Sequence, residues 1–283
     1  MGDGTTVRLV RLRASDGVEI DALRYDDGGP SATGVLHVHG KGSSFLTGPS
    51  RFLPPRWPGV THLALNMRFR DLAFTDAEGS PWAAAGAVPA GGGYWERIAD
   101  GPLDLEAGTR HLRAFGCRHI VIVGHSSGGF YTARYGAEDA DIAARVLIGP
   151  LTGNRTAFAR WFGSEDQRDL ALNRAKVMAE GGRGHELIPL PTWYYAISAA
   201  SLLERASEPD GVWLDSMNAN PSPALLVWGG LEDRDALWRG LFEEFTMEQK
   251  EAVVIPGAEH HFIRYEDELV EVIRTFIEGL DLA

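Results

Sequence analysis

A serine flanked by glycines has the setting in this chain that is most suited to chemistry. Residues 124–128 read Gly-His-Ser-Ser-Gly, the apolar run 119–123 precedes them, and the helix-like segment 129–135 follows. A G-x-S-x-G sequence between a strand and a helix forms a strained turn, because small residues on either side of the serine let the backbone bend sharply. The pattern therefore predicts that Ser126 presents its hydroxyl as a nucleophile for attack on an ester-like carbonyl.

A reactive serine needs a general base, and the base needs a carboxylate to orient it. With a serine on a bend of this kind, the acid and then the histidine follow along the chain. The apolar run 224–228 ends in two glycines, and acidic residues come soon after it. We predict Asp233 as the carboxylate, because it lies a few residues past the strand end, where a loop can direct it along the sheet edge. Glu232 and Asp235 are the alternatives.

Two adjacent histidines follow the last apolar run of the chain. The run 252–255 leads into Pro-Gly-Ala-Glu, and His260 and His261 come next. A histidine in a glycine-containing loop after the final strand is in the position that the serine and the acid require. Only one of the two side chains can act as the base.

Backbone N–H groups beside the serine must stabilise the oxyanion that forms during attack. We expect one from Ser127 and the other from Lys41, in the loop after His39-Gly40. The ammonium of Lys41 is either a group that binds an anionic substrate or, as we expect, a solvated loop cation. His37 and His39 lie on one face of a strand, as a metal pair would. Because no third ligand lies near, we predict hydrogen-bonded structural roles for both histidines and no metal site.

Short apolar runs must form the sheet that positions these residues. The alternating segments 6–13 and 18–25 flank a Ser-Asp-Gly turn and predict an N-terminal β-hairpin. The later runs are nearly continuous in apolar residues, which is typical of parallel strands covered on both faces; they are 34–40, 61–67, 119–123, 145–148, 224–228 and 252–255. Helical periodicity is visible at 103–114, 236–245 and 266–277. We predict an α/β fold with a mostly parallel central sheet, an antiparallel N-terminal hairpin and helices on both faces.

Residues 151–221 interrupt the alternation of strands and helices. They contain no convincing strand, but 166–179 and the aromatic, apolar segment 193–203 predict helices. Structureless loops of this length are rare in compact domains. We therefore predict a helical cap, or lid, inserted into a core domain formed by residues 1–150 and 222–283. Six aromatic residues are candidate walls of a substrate pocket: Phe158, Trp161, Phe162, Trp193, Tyr194 and Tyr195.

Charge and composition argue against several classes of partner. The chain has 39 acidic and 27 basic residues, and its net charge of −12 disfavours nucleic acid, whose phosphates require lysine and arginine contacts. No apolar stretch approaches the length of a membrane span, and the first residues lack the pattern of a signal peptide. We expect a soluble cytoplasmic protein that binds neither nucleic acid nor membrane. The serine chemistry requires no cofactor, and the sequence does not predict an oligomeric state.

These features resemble the α/β-hydrolase superfamily over nearly the whole chain. The resemblance is carried by His39-Gly40, residues 124–128 and Asp233. It also includes Gly-Ala-x-His-x-Phe at 257–262, which implies that His260 is the base. On that assignment, His261 lies beside the site or at the surface.

Two stretches, 40–48 and 175–203, resemble a narrower group, the siderophore ester hydrolases described from fungi. The narrower resemblance implies hydrolysis of a bulky, multi-ester or lactone-like small molecule. The sequence thus predicts a serine carboxylic-ester hydrolase that cleaves a small ester or lactone through an acyl-enzyme. Amide, aminopeptidase-type or thioester hydrolysis by the same three residues is the first alternative. A ligand-binding homologue without turnover is the second, and the competent residue at each triad position argues against it.

Overall fold

Ten strands form one large and one small sheet in the described part of the computed structural model. The structure describes residues 6–73, 91–138, 141–153, 161–192, 196–209, 211–280 and 282. The strands are β1 Thr6–Arg13, β2 Glu19–Asp26, β3 Thr33–Val38, β4 Thr61–Asn66, β5 His119–His125, β6 Ile142–Ile148, β7 Leu187–Pro189, β8 Ala196–Ser198, β9 Ala224–Gly229 and β10 Lys250–Ile255. The large sheet has the order β1-β2-β4-β3-β5-β6-β9-β10, and β7 pairs with β8.

The large sheet is antiparallel at its N-terminal edge and parallel elsewhere. β2 runs antiparallel to both β1 and β4. Every pair from β4 through β3, β5, β6 and β9 to β10 is parallel. The predicted hairpin and the mostly parallel sheet are therefore confirmed. The carboxyl ends of β3, β5, β9 and β10 meet at one edge, which is where ligands bind in open α/β sheets.

Helices cover both faces of the sheet. The helices of the described residues are α1 Gly48–Arg56, α2 Gly101–Phe115, α3 Ser127–Glu138, α4 Glu165–Glu180, α5 Ala199–Ser207, α6 Val212–Ala219, α7 Asp235–Glu243 and α8 Glu266–Glu278. On one face, α2, α3, α6 and α7 bury Leu105, Phe130, Trp213 and Trp238 in a common core. On the other face, α1 and α8 pack together around side chains such as Leu53 and Leu269. Among the described residues, no helix has both the length and the apolar character needed to cross a membrane.

Helix α1 was not predicted from the sequence. It carries Pro49 in its first turn, where the fixed φ of proline favours helix initiation. Pro54 and Pro55 lie in its second half, and prolines there normally interrupt a helix. The helix is short and buries Phe52 and Leu53 against the sheet, so tertiary packing outweighs its poor local propensity.

The insertion, residues 151–221, has a small hydrophobic core of its own. Helix α4 confirms the predicted helix at 166–179, and its N-terminus is capped by Ser164 Oγ, which accepts from the N–H of Gln167. The prediction of no strand was wrong, because β7 and β8 pair in antiparallel register, with Ile188 opposite Ile197. The side chains of this core are Trp161, Phe162, Ala175, Met178, Ile188, Leu190, Ile197, Ala199 and Leu202.

The predicted helix at 193–203 is shorter than expected. Ser198 accepts a hydrogen bond from the N–H of Ser201 and so caps α5, which starts at Ala199. Serine is favoured at the N-cap, the residue just before the first residue of a helix. The residues of β8 that precede the helix pair with β7 instead. Residues 193–195 lie outside the described part of the chain.

Helix α6 belongs to the packing of the main sheet although it lies within the insertion. Its Trp213 and Met217 are buried with residues of α3 and of the sheet. The buried guanidinium of Arg145 on β6 donates to the carbonyl oxygens of Asn220 (2.7 Å) and Ser222 (3.2 Å), and so fixes the return to β9. In packing terms, the separate core of the insertion therefore ends before Val212.

Candidate active site

Ser126 lies in a sharp bend between β5 and α3. Its φ is 55°, in the left-handed region that few residues other than glycine adopt. The bend is held by backbone hydrogen bonds, from the N–H of Ser126 to Ile148 O (2.9 Å) and from the N–H of Leu151 to Ser126 O (2.8 Å). A strained backbone of this kind persists only where the surrounding structure fixes it, and it is common at functional sites.

The flanking glycines are required by close backbone approach. A Cβ on Gly124 would lie 2.5 Å from the carbonyl oxygen of Gly128. A Cβ on Gly128 would clash with the carbonyl oxygen of Val38 and lie 2.8 Å from that of His39. Both positions therefore exclude a side chain, which is the steric basis of the G-x-S-x-G pattern in this chain.

Two segments carry the predicted oxyanion donors beside Ser126. Ser127 is the first residue of α3, so its N–H belongs to the helix turn whose N–H groups have no acceptor within the helix. The loop after β3 lies on the other side, since a Cβ on Gly40 would be 3.0 Å from the Cβ of Ser126. Lys41 and Ser127 line the same cavity as Ser126.

Two buried histidines lie on β3 and at its end, and the second holds the loop that contains Lys41. The Nδ1–H of His39 donates to Gly40 O (2.8 Å), and its Nε2 accepts from the N–H of Met67 (3.1 Å). His37 pairs with the ring of His62 at 3.0 Å. Both histidines thus have hydrogen-bonded positions inside the protein. Within the described ranges, no group of three or more histidine, cysteine or acidic side chains is arranged to hold a metal ion.

The side chain of His260 lies in the cavity and contacts a carboxylate. Its Nδ1 is 2.7 Å from Glu232 Oε2, and both residues line the cavity together with Ser126. The Nε2–H of His125 donates to the backbone carbonyl of His260 (2.8 Å), which links the bend at Ser126 to the loop after β10. Burial keeps the pKa of His125 well below its usual value, so this ring is neutral and suited to the contact.

The structure places Glu232, not the predicted Asp233, against His260. Asp233 has a side chain that is 77% exposed, whereas that of Glu232 is 8% exposed. A tight turn explains the difference, since the N–H of Glu232 donates to Gly229 O and Glu232 Oε1 accepts from the N–H of Gly229 (3.1 Å). This turn directs residue 232 back over the strand end. The other alternative, Asp235, accepts from Trp228 Nε1 at 2.9 Å and starts helix α7.

His261 lies beside His260, is exposed to solvent and also lines the cavity. Its backbone N–H donates to Glu259 Oε2 (2.9 Å), and its ring packs against that of His125 with centroids 5.5 Å apart. Desolvation of its ring on the side that faces the protein, together with the neighbouring His260, lowers the pKa of His261.

The side chain of Lys41 is neither solvated nor free to bind an anion. It is 5% exposed, and its Nζ lies 2.8 Å from Glu96 Oε2 and donates also to Gly93 O. Burial lowers the pKa of Lys41, and the charge of Glu96 opposes that effect. Sequence reasoning did not identify Glu96, because no motif surrounds it and its partners lie far away along the chain.

The cavity above Ser126 has a volume of about 520 Å³. It is lined by residues 40, 41, 43, 125–127, 151, 161, 231–234 and 259–261. Of the predicted wall residues, Trp161 lines this cavity, whereas Phe162 packs in the core of the insertion. The predicted wall residues Phe158, Trp193, Tyr194 and Tyr195 lie outside the described part of the chain.

Several solved structures have the fold of this chain. The chain superimposes on a hypothetical protein, PA2218, from Pseudomonas aeruginosa with a TM-score of 0.74 and 16% identity, over 99% of this chain and 95% of that one. It superimposes on Est1E from Butyrivibrio proteoclasticus, with ferulic acid bound, with a TM-score of 0.72 and 13% identity (96% and 99% covered). For the α/β hydrolase GrgF from Penicillium sp. sh18, the TM-score is 0.68 and the identity 15% (97% and 99% covered).

These three proteins share the fold of this chain at low sequence identity. No protein with a curated description matches the chain in sequence. The sequence profile described as the alpha/beta hydrolase family matches residues 35–274, which include the bend at Ser126 and the loop at His260. The chain belongs to the alpha/beta hydrolase family.

Proposed function

We propose that this protein is a serine hydrolase that cleaves a carboxylic ester or lactone of a small molecule through an acyl-enzyme on Ser126. The observation that carries the proposal is the juxtaposition in one cavity of the strained Ser126 and the His260–Glu232 pair. A serine, a histidine and a carboxylate in this relation form the triad that activates a hydroxyl group for acyl transfer.

His260 acts as the general base. Its Nδ1–H donates to Glu232, which leaves the Nε2 lone pair to take the proton from Ser126 as the hydroxyl attacks the carbonyl. The imidazolium that forms is stabilised by the carboxylate and then gives the proton to the leaving alkoxide. Water then attacks the acyl-enzyme carbonyl while His260 takes its proton, and His260 returns that proton to Ser126 Oγ as the carboxylic acid product is released.

Glu232 replaces Asp233 in this proposal. Its carboxylate is largely buried and receives two donors, the ring of His260 and the backbone N–H of Gly229. A carboxylate held on both oxygens fixes the orientation of the imidazole, whereas the exposed side chain of Asp233 lies at the cavity rim.

The N–H groups of Ser127 and Lys41 are proposed to bind the oxyanion of the tetrahedral intermediate. Ser127 begins helix α3, so the partial positive charge of the helix N-terminus also faces the developing negative charge. Loss of one such donor costs about 3 kcal/mol in the transition state. No cofactor takes part in this mechanism.

The cavity supports a small substrate that is partly aromatic or apolar. Its volume of about 520 Å³ lies in the range of small-molecule sites, and the insertion contributes Trp161 to its wall. We propose that the insertion acts as a cap that sets substrate preference. The fold similarity to Est1E, which was obtained with ferulic acid bound, supports aromatic esters as the first compounds to test.

Hydrolysis of a panel of nitrophenyl and aromatic esters tests the proposal. We expect turnover by the wild-type protein and none above background by Ser126→Ala, with the melting temperature unchanged because the Ser126 side chain is only partly buried. Equal turnover by the two proteins would refute Ser126 as the nucleophile. A wild-type protein that hydrolyses no ester in the panel would refute esterase activity.

A further inference from the structure

A buried carboxylate joins three parts of the site outside the triad. Glu96 has a side chain that is 1% exposed and follows the short helical turn at 93–95. Its Oε2 receives Lys41 Nζ and a guanidinium nitrogen of Arg205. Its Oε1 accepts from the hydroxyl of Tyr131 at 2.8 Å. Lys41 belongs to the loop after β3, Arg205 to helix α5 of the insertion, and Tyr131 to the helix that starts beside Ser126.

The Lys41 arm of this cluster reaches the oxyanion loop. Lys41 lines the cavity, and its side-chain ammonium donates to Glu96 and to the carbonyl oxygen of Gly93. The same loop is tied to this region by its backbone, since the N–H of Asp71 donates to Ser43 O (2.8 Å) and that of Gly93 to Asp71 O (2.9 Å). The ion pair therefore fixes the residue whose N–H is the proposed oxyanion donor.

The Arg205 arm reaches the wall of the cavity. The Arg205 side chain is 6% exposed, and its guanidinium lies over the ring of Trp161, 5.8 Å from the centroid. Trp161 lines the cavity from the insertion side. Glu96 thus holds α5 and, through Arg205, supports the tryptophan that the insertion contributes to the site.

The charges make this cluster rigid. Burial alone would raise the pKa of Glu96, but Arg205 and Lys41 outweigh burial and lower the pKa to about 2. The carboxylate is therefore ionised at neutral pH and is shared by two cations that are both shielded from water. Buried, hydrogen-bonded ion pairs of this kind tolerate little displacement of either partner.

We propose that Glu96 is a positioning residue with two separable effects, fixing the oxyanion loop through Lys41 and the cavity wall through Arg205. This inference rests on the proposed function. It assigns the Lys41 arm to the transition state and the Arg205 arm to substrate binding, so replacement of each cation should affect a different kinetic constant.

Two variants test the inference, and each of them leaves Glu96 paired with only one of its two cations. Lys41→Met keeps the length of the side chain and the backbone N–H but removes the anchor. Because misplacement of a catalytic group by about 1 Å costs about a hundredfold, we expect kcat to fall between about tenfold and a hundredfold, with KM within about twofold. For Arg205→Met we expect KM to rise about threefold or more, with kcat within about twofold.

Asp104→Asn is the matched control. Asp104 is also fully buried, pairs with Arg68 (Arg68 Nε to Asp104 Oδ1, 2.8 Å) and does not line the cavity. We expect Asp104→Asn to lower the melting temperature while both kinetic constants stay within about twofold of wild type. Affinity for phenylboronic acid, which forms a tetrahedral adduct with a reactive serine, should fall in Lys41→Met in parallel with kcat.

The two proposals fail in different ways. If the wild-type protein hydrolyses esters but the Lys41 and Arg205 variants behave like Asp104→Asn, the cluster is purely structural and the inference is overturned. A loss in Lys41→Met that appears in KM alone also overturns it. If the wild-type protein neither hydrolyses esters nor binds the boronic acid, the proposed function is overturned, and the inference falls with it.

Discussion

Replacement of Glu232 by glutamine should stop His260 from acting as the base without disturbing the loop that carries residue 232. In the native structure Oε1 accepts from the N–H of Gly229 at 3.1 Å, and Oε2 lies 2.7 Å from His260 Nδ1. In Glu232→Gln the side-chain carbonyl oxygen must keep the contact with Gly229, since the NH₂ of the amide cannot accept from that N–H. The amide NH₂ is then directed at His260 and donates to its Nδ1.

That orientation forces the wrong tautomer of His260. With Nδ1 accepting a hydrogen bond, the proton moves to Nε2, and the ring can no longer take a proton from Ser126. In serine proteases the equivalent loss of tautomer lowers kcat by about 10⁴-fold, which corresponds to about 5 kcal/mol of transition-state stabilisation. We expect a loss of that order, with KM close to wild type.

The assay is the steady-state hydrolysis of the best ester found for the wild-type protein. Asp233→Asn provides the matched control, because it makes the same chemical change one residue away on an exposed side chain. Its kcat should stay within about twofold of wild type, as for most surface substitutions. A large loss in Asp233→Asn with full activity in Glu232→Gln would refute the assignment of Glu232 and restore the assignment made from the sequence.

Three further changes test other parts of the structure. Gly128→Ala places a Cβ against the carbonyl oxygen of Val38, so urea unfolding should show a loss of about 3 kcal/mol or more, and a stable variant would contradict the steric argument. Trp161→Ala should raise KM for aromatic esters more than for acetate esters; equal effects on both would mean that Trp161 only packs the insertion. Burial holds the pKa of His62 at about 4, below its usual 6.5, so the unfolded state binds the extra proton first as the pH falls. The contribution of His62 is therefore complete above about pH 6.5 and should be lost by about pH 4, amounting to about 3 kcal/mol. In His62→Gln the loss of stability over that pH range should be smaller, and an unchanged pH dependence would contradict this origin.

The parts of the structure predicted from the sequence are those encoded locally. Residues 124–128 identify the bend because glycine is required on both sides of Ser126, and this requirement is visible in the sequence. The parallel strands were recognised because burial on both faces demands continuous apolar runs. The strand boundaries differ from the predicted ones: β6 begins at Ile142 and β10 at Lys250, ahead of the predicted apolar runs, since backbone pairing does not depend on the side chain.

The features missed by the sequence depend on geometry that no short pattern encodes. Glu232 and Asp233 are chemically equivalent in the sequence, and only the tight turn after Gly229 decides which carboxylate faces His260. The pairing of β7 with β8 joins two segments of three residues, too short for a periodic signal. Glu96 meets partners 55 and 109 residues away, so its role follows only from the folded chain.

Mass spectrometry after reaction with a fluorophosphonate tests most directly whether Ser126 is the nucleophile. We expect a single covalent adduct on the peptide that contains Ser126, with no adduct in Ser126→Ala. A wild-type protein that stays unlabelled, or an adduct on a different residue, would contradict this assignment.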